Sequence, residues 1–411
     1  MQLLAAVAGG NSLVLMLGLV SGIVGARALG PVSRGQYVAT YSVASIASVA
    51  FSLGIVQALV TYRGPDRGIG KPLKLQAALS LFGGASALAL LVGLGVHPWL
   101  TWFGVGGGAA VTTGSLLTSL SAGLAQRRGD MARGYQWVRL VPQSALVLAL
   151  LVLWAYGTTD PNIWLVATGL ALLAPALVQF LRALKPYAGG SWLPSRELAR
   201  QAFATVPMML GILLVNRLDA LIVSVAYQPE QAAYYAVALA ALAACSALGT
   251  ALGMIAFSQL RQLEEVQAKA ALIRATLVKT ILTSALTALP ILVFAPSLIR
   301  TLLGASFLGA VGPTRVLVVA SVAYSVDYLL LHALLILGGH RVGTVVQTLV
   351  AACMAVLLVL VAPDERLLPV AWIVLAMHTA LGCLLYLVVT RQLRVSHSAI
   401  AAAVPDHGGS S

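Results

Sequence analysis

The sequence predicts an all-α protein that crosses a membrane about twelve times, as two six-helix lobes around a central cavity. Three observations predict this class. Hydrophobic residues make up 60% of the chain and charged residues 9%, whereas about a quarter of a soluble domain is charged. The apolar residues form stretches of about 20 or more, the length that spans the ~30 Å hydrocarbon layer. Short polar or basic segments separate these stretches, so each helix satisfies its own backbone groups.

The hydropathy pattern begins with a helix that we expect to be retained as a membrane span, because Met1 to Ala26 has no basic leader segment. No connection exceeds about 20 residues, so no soluble domain is expected on either side. The predicted helices cover residues 4–27, 36–61, 75–98, 102–125, 137–157, 162–183, 203–226, 231–257, 272–297, 314–337, 343–362 and 369–390.

The basic residues favour one side of the membrane. Nineteen of the 25 Lys and Arg residues fall on the side that holds both termini, and five fall on the other. The positive-inside rule then predicts a multi-pass protein of the cytoplasmic (inner) membrane with both termini in the cytoplasm. The five predicted outer residues are Arg27, Arg34, Arg300, Arg315 and Arg366. The basic residues are dispersed without interleaved aromatics, so we expect no nucleic-acid partner.

A weak internal repeat divides the chain. Gly35 to Ala39 opens helix 2 after a short turn, and Ala233 to Val237 opens helix 8 in the same way. Six helices per half with the same starting side predict a parallel repeat, in which two lobes face each other across a cavity. We predict an N-terminal lobe at 1–190 and a C-terminal lobe at 191–411 with a short cytoplasmic tail. The linker at 185–200 is rich in Pro, Gly and charge.

Charged residues at membrane depth are the first functional candidates. Arg217 and Asp219 of helix 7 are two residues apart, so they point to opposite faces and need different partners. Arg27, at the outer end of helix 1, lies at comparable depth and is predicted to face Asp219 across the lobes. Two interpretations stay open: a buried ion pair that fixes helix register, or direct contact of these residues with a substrate or ion.

Helix 10 carries a further carboxylate at membrane depth. Asp327 has Tyr324 one turn away on the same face. The carboxyl either couples transport to a proton or cation, or forms a structural hydrogen bond to the tyrosine. His332 and His378 are interpreted as packing residues, the commoner role of a lone histidine in a bundle.

The small residues of two helices predict close helix packing. Helix 4 begins with a glycine cluster at 104–108, and Gly18 and Gly22 of helix 1 have the G-x-x-x-G spacing. Three prolines are expected inside helices 6, 7 and 9, namely Pro175, Pro207 and Pro290.

The sequence offers little for catalysis. The three cysteines, Cys245, Cys353 and Cys383, form no C-x-x-C spacing, and no Ser-His-Asp or H-E-x-x-H pattern is present. We therefore expect no catalytic residue, no metal site and no cofactor, and predict that the protein is not an enzyme.

Several segments in order resemble one family of membrane transporters. Gly25-Ala26-Arg27-Ala28-Leu29-Gly30-Pro31 with Gly35-Gln36-Tyr37 resembles the corner between helices 1 and 2 of the polysaccharide biosynthesis flippases. These belong to the multidrug/oligosaccharidyl-lipid/polysaccharide (MOP) exporter superfamily. Further similar segments are Gly123 to Arg128 with Trp137 to Arg139, Asn216 to Asp219, Ala233 to Ala238, Leu302 to Phe307, and Gly338 to Arg341.

The resemblance implies a pump that moves a lipid-linked oligosaccharide from the cytoplasmic to the outer leaflet by alternating access. It implies a polyprenyl diphosphate carrier, membrane lipids around the chain, H⁺ or Na⁺ as coupling ion, and a polysaccharide polymerase and glycosyltransferases as partners. Relatives use arginines in the cavity of the first lobe, which makes Arg27 and then Arg139 the matching candidates. Arg217 joins them as a substrate-binding candidate, and Asp219, Asp327 and Tyr324 are the candidates for ion coupling or gating.

Other functions remain open from the sequence. A cation-coupled multidrug exporter of the same superfamily is favoured if Asp219 and Asp327 line an apolar cavity. A non-transporting membrane scaffold and an envelope glycosyltransferase are the alternatives outside transport.

Overall fold

A computed structural model describes residues 2–52, 54–61, 69–95, 97–130, 133–187, 192–260 and 262–403. Within these ranges the chain forms α-helices and short 3-10 turns, and no β-strand is present. The helices are α1 (Gln2–Phe51), α2 (Ile55–Thr61), α3 (Gly70–Gly93), α4 (Trp102–Arg127), α5 (Gly134–Ala155), α6 (Pro161–Leu184), α7 (Arg196–Ala226), α8 (Pro229–Leu260), α9 (Val266–Leu302), α10 (Val311–Ile336), α11 (His340–Val361) and α12 (Leu367–Ala403).

The predicted all-α, polytopic membrane fold is confirmed. In the described part of the chain, ten helices are long and apolar enough to cross a membrane. One of them, Ser12–Phe51 within α1, has 40 residues, enough for two crossings at ~1.5 Å per residue. The long helix outside this group is α4, which is enriched in Gly, Thr and Ser and is largely buried.

The first two predicted helices are joined by a kink and not by a loop. Helix α1 continues through Gly30, whose φ of 67° and ψ of 176° are non-helical. Glycine tolerates the positive φ, and Pro31 suits the first turn of the second arm because its missing N–H needs no helical partner.

The prediction of one helix at 36–61 was wrong near its end. The second arm of α1 ends at Phe51, and α2 begins at Ile55 after a break at which Gly54 has a φ of 70°. The Ser52 hydroxyl donates to the Val49 carbonyl oxygen at 2.7 Å, which satisfies a helix-end acceptor. No polar stretch accompanies the break, so hydropathy does not reveal it.

Helix α7 begins at Arg196, earlier than the predicted 203. The Ser195 hydroxyl accepts a hydrogen bond from the Leu198 N–H at 3.2 Å and caps the first turn. Leu198 and Ala202 are buried with α2, α3, α4 and α6 in one apolar cluster. The start of α7 thus packs on the first half of the chain, and part of the predicted linker is helical.

Helices α1 to α6 pack mainly with one another, as do α7 to α12, and we call these groups the N-terminal and C-terminal lobes. Glycines bring α4 and α6 together in the first. A Cβ added at Gly107 would lie 2.7 Å from the Val166 nitrogen, and one at Gly114 would lie 2.9 Å from the Leu172 carbonyl carbon. The packing predicted for the helix 4 cluster is therefore confirmed.

The packing predicted for helix 1 was wrong. A Cβ at Gly18 would meet only the Gln143 side chain, at 3.9 Å, and one at Gly22 would meet no atom within 4 Å. No neighbouring backbone approaches this face of α1 closely. The prolines at 175, 207 and 290 lie inside α6, α7 and α9 as predicted.

The lobes meet through α1 and α2 on one side and α7 and α8 on the other. At the predicted outer end, a Cβ at Gly35 would overlap the Pro229 carbonyl oxygen, so the two backbones are in direct contact. Beside them, Ala26 packs with Ala233 and Phe307. We call the contact of Ala26 and Gly35 with Pro229, Ala233 and Phe307 the outer seam. The two segments of the predicted repeat lie at this seam.

Candidate functional site

Arg27 lies at the outer seam and does not pair with Asp219. Its Nε donates to the Leu302 carbonyl oxygen at 2.9 Å, and its guanidinium also donates to the Thr301 carbonyl oxygen. These carbonyls end α9 and carry its partial negative charge, so an arginine there satisfies acceptors that the helix leaves open. The predicted ion pair was wrong because sequence gives the depth of a residue and not its direction around the helix.

Asp219 finds its partner inside its own lobe. It is 3% exposed, and its Oδ2 accepts a hydrogen bond from the Tyr235 hydroxyl of α8 at 2.5 Å. Tyr235 is itself fully buried in the core that joins α7, α8, α10, α11 and α12. This carboxyl is therefore turned away from the N-terminal lobe.

Asp327 pairs with a histidine. Its Oδ2 lies 2.7 Å from Nδ1 of His378 on α12, and both side chains are buried. Its Oδ1 abuts Gly382, one turn further along α12, where a Cβ would lie 2.9 Å away. Tyr324 packs edge to face on the His378 ring, with centroids 5.4 Å apart. Asp327 thus accepts its hydrogen bond from His378 and not from Tyr324, which was one of the two interpretations left open by the sequence. His378 is buried, as expected of a packing residue, but its partner is a carboxylate that the sequence did not indicate.

His332 is a packing residue as predicted. Its Nδ1 lies 2.7 Å from the Tyr328 carbonyl oxygen of its own helix, and its ring packs on Phe257 and Tyr328. This contrast with His378 could not be read from the sequence, where both histidines stand alone in apolar helices.

Arg217 faces the opposite lobe. Its side chain is exposed although it lies well inside α7, and none of the described residues hydrogen-bonds to its guanidinium. Leu221, one turn further along α7 on the same face, packs against the N-terminal core that contains Tyr37. Tyr324 lies within electrostatic range of Arg217. The face of α7 that carries Arg217 therefore lines the space between the lobes.

Arg139 approaches this space from the other side. It lies on the second turn of α5, partly exposed, with its guanidinium 5.3 Å from the centre of the Tyr135 ring. Both Tyr135 and Arg139 are within electrostatic range of Tyr328 on α10. The N-terminal lobe thus contributes an arginine and a tyrosine that face the tyrosines of α10.

We call the cluster of Tyr135, Arg139, Arg217, Tyr324 and Tyr328 between the two lobes the central crevice. Each of these five side chains is exposed or partly exposed. Residues 12–23 on the first arm of α1 include no buried side chain. The accessible charges of the crevice are cationic, whereas Asp219 and Asp327 are buried behind it.

No family model matches the chain, and no curated protein does. Solved structures do match. The lipid II flippase MurJ in an inward closed conformation superposes with a TM-score of 0.75 at 10% identity, over 94% of this chain and 88% of that chain. An inward-facing multidrug resistance MATE family transporter of the MOP superfamily gives a TM-score of 0.64 at 12% identity, over 94% and 95%.

A third match is a MOP superfamily transporter from Pyrococcus furiosus whose binding pocket is described as having reverse polarity. Its TM-score is 0.60 at 12% identity, over 96% of this chain and 95% of that chain. This chain has the fold of these three transporter structures. At such identities the likeness establishes the fold alone, and the chemistry has to be read from the residues of the crevice.

Arg34, one of the five predicted outer residues, lies in a helix that begins earlier than the predicted residue 36. It is in the first turns of the second α1 arm, with its guanidinium 5.2 Å from the Tyr37 ring centre. The available signal was its spacing to Tyr37 and Tyr41, which places all three on one helix face.

The described residues contain no group of three or more His, Cys, Asp or Glu side chains that could hold a metal ion. Cys245 is buried, and Cys353 and Cys383 are exposed on separate helices.

Proposed function

We propose that the protein is a flippase that moves a lipid-linked oligosaccharide from the cytoplasmic to the outer leaflet of the cytoplasmic membrane, for cell-surface polysaccharide synthesis. The observation that carries this proposal is the charge of the central crevice. Arg139 and Arg217 are accessible on facing lobes, while the carboxylates of Asp219 and Asp327 are buried. Accessible arginines at membrane depth suit an anionic group, and the arginine fork engages a diphosphate in bidentate fashion.

The remaining lining suits the sugar part of such a substrate. Tyr135, Tyr324 and Tyr328 offer aromatic faces with hydroxyl groups at their tips, which pack on apolar sugar faces and hydrogen-bond to hydroxyls. The polyprenyl tail stays in the bilayer beside the crevice. Alternating contact of the lobes at their two ends then moves the head group across, as in parallel-repeat transporters.

A cation-coupled multidrug exporter is the second candidate within this fold. It requires carboxylates that a cationic drug reaches, and Asp219 and Asp327 are instead occupied by Tyr235 and His378. The burial of both carboxylates therefore favours the anionic substrate over the cationic one.

We assign the energy coupling to the Asp327 and His378 pair. A carboxyl and an imidazole that share one hydrogen bond hold a proton inside a lobe without placing a charge against lipid. This favours H⁺ over Na⁺ as the coupling ion. Polysaccharide polymerase and glycosyltransferases are the partners that would consume and supply the substrate.

The proposal is tested by deleting the gene and assaying lipid-linked oligosaccharide. We expect the intermediate to accumulate on the cytoplasmic face, and the wild-type gene to clear it. Arg139→Gln and Arg217→Gln should fail to clear it, whereas Arg366→Gln, at an exposed arginine remote from the crevice, should succeed. Normal surface glycan in the deletion strain would contradict the proposal and favour the exporter or scaffold alternatives. Loss of the glycan without accumulation of the intermediate would favour the glycosyltransferase alternative.

A further inference from the structure

Arg34 is a cation inside the N-terminal lobe near the predicted outer end. Its terminal nitrogen lies 2.5 Å from the position that a Cβ at Gly25 would take, and the Trp164 ring lies 3.7 Å from that same position. The guanidinium thus fills the space left by a glycine on the first arm of α1, in front of α6. Tyr37, beneath the guanidinium, is held in place by a 3.0 Å hydrogen bond between its hydroxyl and Thr168.

This cation has no counter-charge. The ionisable groups that act on Arg34 are Tyr37 and Tyr41, and within the described ranges no carboxylate pairs with it and no group hydrogen-bonds to it. Its side chain is nevertheless partly accessible rather than sealed in the core. A guanidinium inside a helical lobe is costly unless a counter-charge neutralises it, and the Tyr37 ring that it contacts carries no charge, so the accessible part of Arg34 suits an anionic ligand.

The position of Arg34 connects it to the central crevice. Leu221, one turn from Arg217 on the same face of α7, packs against the cluster that holds Tyr37, with Tyr41 at its edge. Arg217 therefore points toward the N-terminal lobe one turn below this cluster. The Arg217 face of α7 and Arg34 therefore meet the same N-terminal cluster.

We infer that Arg34, framed by Gly25, Tyr37 and Tyr41, is an anion-binding subsite that holds the diphosphate of the substrate near the outer end of the crevice. The inference rests on the proposed function for the identity of the anion. A guanidinium carries five N–H donors in a planar fork that can engage phosphate oxygens in bidentate fashion, whereas a lysine would engage them only as a point charge.

Direct binding to the purified full-length protein in detergent tests the subsite. The probes are geranylgeranyl diphosphate and the uncharged geranylgeraniol, measured by calorimetry. Wild type should bind the diphosphate more tightly than the alcohol. Arg34→Gln should weaken diphosphate binding by about tenfold or more, because a charge-assisted hydrogen bond is lost, with no effect on the alcohol. Arg34→Lys should be intermediate, and Arg366→Gln should match wild type.

A second pair of variants tests the subsite without deleting the charge of Arg34. Gly25→Ala places a methyl group where the guanidinium lies and displaces it without removing it, whereas Gly22→Ala, three residues earlier, meets no atom within 4 Å. We expect weaker diphosphate binding from Gly25→Ala alone. Unchanged binding in both Arg34→Gln and Gly25→Ala, or equal wild-type affinity for the two probes, would overturn the subsite.

Failure of the subsite and failure of the flippase proposal give different results. Arg34-dependent diphosphate binding together with normal surface glycan in the deletion strain would keep the subsite and reject the flippase. Arg34-independent binding together with accumulation of the intermediate would reject the subsite and keep the flippase.

Discussion

The Asp327 carboxylate lies between His378 and Gly382, one turn apart on α12, and the glycine provides the space that the carboxylate occupies. Tyr324 closes the other side of the His378 ring. The pair is thus separated from the accessible surface of the crevice by one aromatic ring. A proton taken up there changes the charge of the C-terminal lobe next to the residues proposed to bind substrate.

Two histidines, one paired with a carboxylate and one not, provide a test of this pair. His378→Asn keeps a hydrogen-bonding group beside Asp327 but removes the titrating imidazole, and we expect substrate movement driven by a pH gradient in vesicles to fall to the level of empty vesicles. His332→Asn removes an imidazole that contacts only the Tyr328 carbonyl oxygen and aromatic rings, and should retain activity. Equal transport by both variants would contradict a coupling role for His378.

The partners of single residues were the least predictable part of the protein. Sequence predicts similar depths for Arg27 and Asp219, because helical rise converts position to height. It could not give the direction of each side chain, which depends on how the helices rotate against one another. Arg27 therefore turned out to bind the end of α9, and Asp219 to bind Tyr235.

At the scale of helices, the contact between Gly35 and Pro229 controls how closely the lobes approach at the outer seam. Gly35→Val should keep the seam open, because any Cβ there overlaps the Pro229 carbonyl oxygen. Gly22→Val on the first arm meets open space and is the control.

The distance between spin labels at positions 32 and 228, both exposed and close to the seam, measures its opening. The labels are attached to cysteines introduced there after the native Cys245, Cys353 and Cys383 have been replaced. We expect a longer label distance in Gly35→Val than in wild type or Gly22→Val. Identical distance distributions in the three proteins would show that this contact does not hold the seam.

Arg27 stabilises the same seam by donating hydrogen bonds to main-chain carbonyl oxygens of α9. Arg27→Ala removes charge-assisted hydrogen bonds to α9. The closed seam should therefore be less stable by about 1–3 kcal/mol relative to the open one. Combining Arg27→Asp with Asp219→Arg should not restore export, since each residue has a different partner. Restoration by this exchange in the export assay would show that the two charges do pair in another conformation.

Helix positions were predictable because each apolar stretch ends where polar residues begin, as at α6, α10 and α11. The kink at Gly30 and the break at residues 52–54 were not, because both depend on backbone angles within apolar sequence. Packing of α4 on α6 was signalled by glycine density, but the same signal in helix 1 was misleading, because no neighbouring backbone comes within 4 Å of a Cβ built at Gly18 or Gly22.

At the scale of the whole molecule, the account depends on which end faces the cytoplasm. The distribution of Lys and Arg predicts that both termini are inside. Reporters active only outside the cytoplasm should give signal when fused at Gly157 or Gln228 and none at Ala188, which lies outside the described residues. The opposite pattern would show that the proposed direction of transport is wrong and that the end named outer faces the cytoplasm.

The central claim is that two lobes move an anionic lipid head group through a crevice whose accessible charges are arginines. The most direct measurement reconstitutes the purified protein in vesicles that contain a fluorescent polyprenyl diphosphate oligosaccharide, and follows its exposure to a membrane-impermeant quencher. We predict that wild type and Arg366→Gln expose the label in both leaflets, while Arg139→Gln and Arg217→Gln leave it where it was placed. Full exposure by the Arg139→Gln, Arg217→Gln double variant, or uptake of a cationic dye in place of the oligosaccharide, would contradict the account.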